Sequence, residues 1–300
     1  MKNHPDDRRS LLMFISSMLI FGTIGLFRRL LPLSSGFLAF SRGIAGGLFL
    51  LLSMKLGKRD PGERMPARAR ILLAVSGAAM GINWILLFEA YTHTTVAVAT
   101  LCYYMQPTIV MLLSPLLFRE KFTLRKAICA AAAVAGMVLV SGVTGGGAPG
   151  AGNFKGILLG LCAALCYSAV IILNKKIPGV DPYRKTTLQL FSAGLVMVPY
   201  LFLTSGFPAG GFSLSTACIL FIVCFVHTGI AYLLYFGSMD GLKVQSVALL
   251  SYIDPVSALL FAALFLREPM SLQGIIGAFL IIGSAAWAEI RPKAEADSAS

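Results

Sequence analysis

Residues 86–130 read LLFEAYTHTTVAVATLCYYMQPTIVMLLSPLLFREKFTLRKAICA, and residues 234–278 read LYFGSMDGLKVQSVALLSYIDPVSALLFAALFLREPMSLQGIIGA. Laid over one another with a shift of 148 and no gap, they match at Phe88/Phe236, Val96/Val244, Tyr104/Tyr252, Pro107/Pro255, Leu116/Leu264, Arg119-Glu120/Arg267-Glu268 and Ile128/Ile276. A shift of 147 likewise lays Arg28-Arg29 on Lys175-Lys176 and Arg42 on Gln189. The chain therefore contains the same unit twice.

Composition says what surrounds that unit. Of 300 residues, 57% are apolar and only 13% are charged, against roughly a quarter charged in an ordinary globular chain. A water-soluble core needs fewer apolar residues than this, and the excess must face lipid. Ten apolar segments follow, at about 11–31, 34–54, 70–91, 94–118, 122–143, 154–175, 185–204, 214–237, 241–266 and 271–290. Each is long enough to cross a hydrocarbon layer of ~30 Å as a helix. Barrel strands would be shorter and alternating, so the expected fold is an all-α membrane protein with ten transmembrane helices. The expected organisation is a tail at 1–10, a first five-helix repeat at 11–143, a glycine-rich linker at 144–153, a second repeat at 154–290 and a tail at 291–300.

The net charge of +12 would suggest nucleic acid in a soluble protein, but here the bases sit in short stretches between apolar runs. No soluble module exists to hold a nucleic acid. With the N-terminus inside, 20 of the 25 Lys and Arg fall on the cytoplasmic side, Lys185 and the cluster Lys55 to Arg70 among them. Arg28, Arg29, Arg42, Lys155 and Arg267 remain on the outer side. Both termini are therefore expected in the cytoplasm. Five helices per copy is an odd number, so the two copies should be inverted, an arrangement that lets a central site open to either side in turn. The Arg8-Arg9 pair resembles an export signal, yet no cleavage site follows, and the first helix is read as retained. All six cysteines lie in apolar runs as structural thiols, and neither a metal site nor a cofactor is expected.

The two five-helix copies, the proline-containing fourth helices ending in Phe118-Arg119-Glu120 and Leu266-Arg267-Glu268, and the opening Phe21-Gly22-Thr23-Ile24-Gly25 resemble the drug/metabolite transporter superfamily. The ten-helix EamA-type branch is the match, over about residues 11–290. The resemblance implies a carrier of small organic solutes, mostly an exporter of amino acids and similar metabolites. It also implies a central cavity lined mainly by helices 1, 3, 4, 6, 8 and 9.

Ionisable groups inside a bilayer cost roughly 3 kcal/mol or more each, so each calls for a reason. Asp254 precedes Pro255 halfway along the ninth segment, and its counterpart is Gln106 before Pro107. Both should lie near the midplane, where proline frees backbone carbonyls. Asp254 reads as the carrier of a coupling proton, as the N-cap of a broken helix, or as a direct substrate contact. His227, midway along the eighth segment, reads as a proton shuttle or as a hydrogen-bonding link between helices. Arg42, Arg28 and Glu89 read as a structural or gating ion pair, with a vestibule for a carboxylate or phosphate as the alternative. Trp84, Tyr103, Tyr104, Tyr167, Tyr232 and Tyr252 could wall a cavity, and Asn83 beside Trp84 could meet an amino-acid head group.

These residues predict a secondary transporter of the cell inner membrane that exports a small polar metabolite, an amino acid or similar, coupled to protons. An importer or exchanger of another solute, such as choline or a phosphorylated metabolite, is the alternative. A membrane-embedded enzyme is remote, because the intramembrane acids are scattered and the chain has no nucleophile elbow or phosphate loop. The expected partners are the substrate, the bilayer and protons, with the protein a monomer or a homodimer.

Overall fold

A backbone in hydrocarbon must satisfy its own hydrogen bonds, and the apolar runs do so as helices. A computed structural model describes residues 5–57, 65–118, 123–140, 151–177, 179–204, 207–208, 212–239, 242 and 250–289. Most of the linker, residues 1–4 and 290–300 of the tails, Arg119-Glu120 and Lys243 lie outside the described residues.

In chain order the helices are α1 (Pro5–Gly22), α2 (Ile24–Leu30), α3 (Ser35–Leu56), α4 (Ala67–His93), α5 (Val96–Tyr103), α6 (Gln106–Phe118), α7 (Leu124–Val140), α8 (Ala151–Lys175), α9 (Pro182–Leu203) and α10 (Leu214–Phe221). A π-helix (Ile222–Ile230), α11 (Ala231–Met239), α12 (Ile253–Phe265) and α13 (Leu272–Glu289) complete them, and no strand occurs among the described residues. Among the described residues seven helical stretches are long and apolar enough to cross a membrane: Arg8–Leu30, Ser35–Leu56, Ala67–His93, Val96–Leu113, Asn153–Lys175, Pro182–Leu203 and Leu214–Ser238. α12 and α13 are shorter apolar helices, and the expected ninth segment lies partly outside the described residues.

Polar side chains start the helices where the chain turns. Ser34 accepts from the Phe37 amide (3.3 Å), Thr95 from Val98 (3.1 Å) and Ser213 from Thr216 (3.2 Å). Asp181 accepts from Arg184 (3.0 Å), with Pro182 in the first turn, where its missing N–H costs nothing. Large apolar side chains such as Leu52, Ile71, Leu165, Phe202, Phe221 and Phe279 are exposed around the outside. Inside, large side chains such as Phe14, Phe88 and Leu50 are buried beside small residues that let the helices come close.

Packing treats the two copies as exchangeable. α3 packs on α9 and α7 on α13, each helix against its own counterpart. α4 packs on α8 as α11 packs on α1, and α4 on α9 as the π-helix packs on α3. Glycine permits the closest approaches. A methyl at Gly43 would lie 2.5 Å from the Gly194 nitrogen, and one at Gly136 would lie 2.7 Å from the Gly277 carbonyl.

One clasp joins the copies at the start of α5. Arg267 takes φ 53°, a left-handed conformation uncommon outside glycine, and the turn delivers Glu268. Its two carboxylate oxygens accept from the Val96 (2.9 Å) and Ala97 (3.1 Å) amides, with Arg29 Nη2 3.5 Å away. Arg29 also donates to the Thr94 carbonyl (2.7 Å).

Candidate substrate cavity

A cavity of about 540 Å³ lies between the two copies, within the usual range of about 300–1,000 Å³ for small-molecule sites. Of the side chains singled out from sequence, Arg42, Trp84, Tyr103, Tyr104, Gln106, Tyr167, Tyr232 and Asp254 line it. Asn83, Tyr252, His227, Glu89 and Arg28 do not. The walls come from α1, α2, α4, α5, α6, α8, α11 and α12, joined by Arg42 of α3 and by Lys185, Thr186 and Gln189 of α9. The two last helices go beyond the six that the family resemblance implied.

The helix breaks put polarity at the centre. α5 ends at Tyr103 and α6 restarts at Gln106, so Tyr104 sits on the break, and its hydroxyl donates to Asp254 Oδ2 in the other copy. Asp254 is the second residue of α12, and the N-cap is Tyr252, which makes no side-chain capping bond. The helix-cap reading of Asp254 is thus corrected, because its carboxylate is turned to Tyr104. Gln106 presents a buried side-chain oxygen with no partner, while its carbonyl accepts from Ser168 (3.2 Å). Tyr103 meets Tyr104 and Tyr167, each at 5.6 Å between ring centres. Opposite them Tyr232 meets Phe21 at 5.3 Å and Phe236 at 5.9 Å. Such contacts fix the rings as rigid apolar walls.

Arg42 is only 5% exposed. Its Nε donates to Thr228 Oγ1 (3.0 Å), and its guanidinium lies 4.3 Å from the Trp84 ring centre and 5.4 Å from that of Phe88. The expected ion pair with Glu89 does not form. Glu89 faces His93 at 3.9 Å, and Arg28 donates to the Leu31 carbonyl (3.1 Å) and Ser35 Oγ (3.0 Å). Arg42 is instead taken up by Thr228 and Trp84, and Arg28 by the turn at Leu31 and Ser35.

The remaining candidates link helices. Asn83 Nδ2 donates to the Ala163 carbonyl (2.7 Å), tying α4 to α8. His227 Nε2 lies 2.8 Å from Thr23 Oγ1, which itself donates to Ile20, so the imidazole joins the π-helix to the α1–α2 break. Phe27 packs edge-on against it at 4.7 Å.

Sequence reasoning did not single out Asn174, Lys185, Thr228 or the role of Glu268. Lys185, counted among the loop bases, lines the cavity and donates to the Ile177 carbonyl (3.0 Å). Gln189 was noted only as the counterpart of Arg42. It lines the same cavity and donates to Ser76 (2.7 Å) and Asn174 (3.0 Å). Among the described residues no group of three His, Cys, Asp or Glu could hold a metal ion.

A cavity walled by both repeats and ringed by lipid-facing helices defines a multi-pass membrane transporter. The profile of the EamA-like transporter family matches residues 8–142 and again 154–288, and the chain belongs to that family. It is 28% identical to the uncharacterized transporter YxxF of Bacillus subtilis (strain 168), over 94% of this chain and 90% of the relative. It is 27% identical to Protein PecM of Dickeya dadantii (strain 3937), over 82% of this chain and 80% of the relative. A solved crystal structure with 20% identity shares the fold at a TM-score of 0.65, over 93% of this chain and 96% of that one.

Proposed function

We propose that this transporter is a secondary carrier of the cell inner membrane. It has ten spans and cytoplasmic termini, and it exports a small polar metabolite, an amino acid or similar, by proton-coupled alternating access. The observation that carries the reading is the Tyr104–Asp254 hydrogen bond across the cavity. Asp254 belongs to one copy and Tyr104 to the other, so a protonation change there bears directly on how the copies sit together. Once protonated, Asp254 no longer holds a negative charge against the Tyr104 hydroxyl, and the copies are freer to rock. The clasp at Glu268 would then stand on the outer side, closing the cavity there.

The test is reconstitution, with currents recorded on a solid-supported membrane for a panel of metabolites with and without a pH gradient. Radiolabel counterflow detects electroneutral exchange. The expected result is a saturable signal for one solute class that rises with the proton gradient. Saturable exchange indifferent to pH would remove the coupling, and linear flux without counterflow would replace the carrier with a channel.

A further inference from the structure

We propose that Arg42 is the anion-binding point of the cavity and that the transported solute carries a carboxylate, which becomes the counter-ion of this arginine. The inference rests on the transporter reading and narrows its substrate class. A guanidinium away from water is ordinarily paired with an acid, because an uncompensated buried charge is strongly unfavourable. Arg42 is buried two turns into the apolar helix α3, yet its contacts are a hydroxyl and two aromatic faces. Among the described residues Glu268 pairs with Arg29 and Glu89 with His93, and no carboxylate pairs with Arg42. Asp254, the acid that shares the cavity, is bound to Tyr104.

The surroundings prepare Arg42 for a ligand. Thr228 holds Nε and in turn donates to the Val223 carbonyl (3.2 Å), which fixes one edge of the guanidinium. Trp84 supports its face by a cation–π contact. A guanidinium fixed by one nitrogen and one face can still offer two parallel N–H groups, the geometry that a carboxylate accepts.

The matching position in the second copy supports the same conclusion by contrast. Gln189 faces the cavity too, but its amide is neutral and already bonded to Ser76 and Asn174. The cavity wall thus has a guanidinium in the first copy only, with the Lys185 ammonium of α9 as the other described cation lining it. A single guanidinium offers the two parallel N–H groups that match a carboxylate, whereas a phosphate dianion would also draw on Lys185, whose ammonium uses one of its three N–H groups on the Ile177 carbonyl.

Trp84 is a built-in reporter, since the chain has two tryptophans and the other is Trp287. In the full-length Trp287→Phe protein, fluorescence would be titrated with the twenty amino acids and their C-terminal amides, benzoate and benzamide, and phenyl phosphate. The expected result is a saturable change for at least one carboxylate, with its amide binding at least about tenfold more weakly. Arg42→Gln should abolish that preference and Arg42→Lys should retain part of it. Equal binding of acid and amide overturns the proposal, as does a panel without any responding carboxylate or a preference for phenyl phosphate. The acid–amide comparison needs no change at position 42, so misfolding of an Arg42 variant would not obscure it. Counterflow of the bound solute separates the two readings. Carboxylate binding without transport sinks the carrier, and transport without acid preference sinks the anion site.

Discussion

The third helix of the first copy and its counterpart in the second differ more than their shared descent suggests. α4 runs unbroken for 27 residues and meets α8 and α9 through Gly77, Gly81 and Asn83. The counterpart changes to a π-helix for the nine residues Ile222–Ile230. π-segments are rare, and they occur frequently at functional sites. Here the change of winding brings Thr228 to Arg42 and His227 to Thr23, contacts that α4 has no equivalent for at Ala79 and Met80. The fourth helices repeat the lesson, with neutral Gln106 at one break and acidic Asp254 at the other. Duplication supplied a scaffold with matching breaks, and divergence at a few cavity positions supplied unlike chemistry.

The largest expected effect concerns the unlike pair at the breaks. Asp254→Asn keeps the shape but cannot release a proton, so solute binding and counterflow should persist while gradient-driven transport falls to background. Undiminished driven transport in proteoliposomes would remove the coupling role. Next comes the matched scaffold. Gly136→Ala would press a methyl toward the Gly277 carbonyl, at a cost of about 1–3 kcal/mol, visible as a lower thermal midpoint in detergent. An unchanged midpoint would mean that α7 and α13 separate without penalty.

Thr228→Val tests the π-helix contact itself. It removes the partner of Arg42 Nε and leaves a cation less well held, so solute affinity should weaken by roughly 1–2 kcal/mol, read by titration. If affinity is unaltered, the π-segment does not serve the cavity. The smallest effect is expected at the clasp. Glu268→Gln keeps one acceptor oxygen but turns the other into an NH2 that cannot accept, so one of the Val96 and Ala97 amides loses its partner along with the charge beside the start of α5, a loss of about 1 kcal/mol. Hydrogen exchange at the Val96 and Ala97 amides should quicken, and unchanged protection there would rule out the clasp in the membrane.

Much of this was legible in the chain. Length and uniform apolarity declared the helices, the repeat declared the two copies, and Pro107 and Pro255 marked breaks where the structure has them. Charge in an apolar run singled out Arg42 and Asp254, both of which line the cavity. Direction around a helix axis was less legible. Asn83 and Trp84 are neighbours, but successive side chains leave a helix about 100° apart, so one faces α8 and the other the cavity. The same uncertainty produced the Arg42–Glu89 pairing that the structure replaces. Lys185 looked like a loop base because it lies only three residues after Pro182, at the start of α9. The π-helix left no sequence signal at all, since residues 222–230 contain no proline and only one glycine to interrupt an apolar run.

Glu268 is translated 172 residues after Val96. When α5 enters the membrane, the Val98 amide already has Thr95 and the Ala99 amide has the Thr95 carbonyl, but the Val96 and Ala97 amides wait for an acceptor not yet made. The first copy therefore leaves the ribosome with its fourth helix unfinished at one end. The residue that completes it arrives only with the close of α12, so assembly of the cavity is tied to the synthesis of nearly the whole chain.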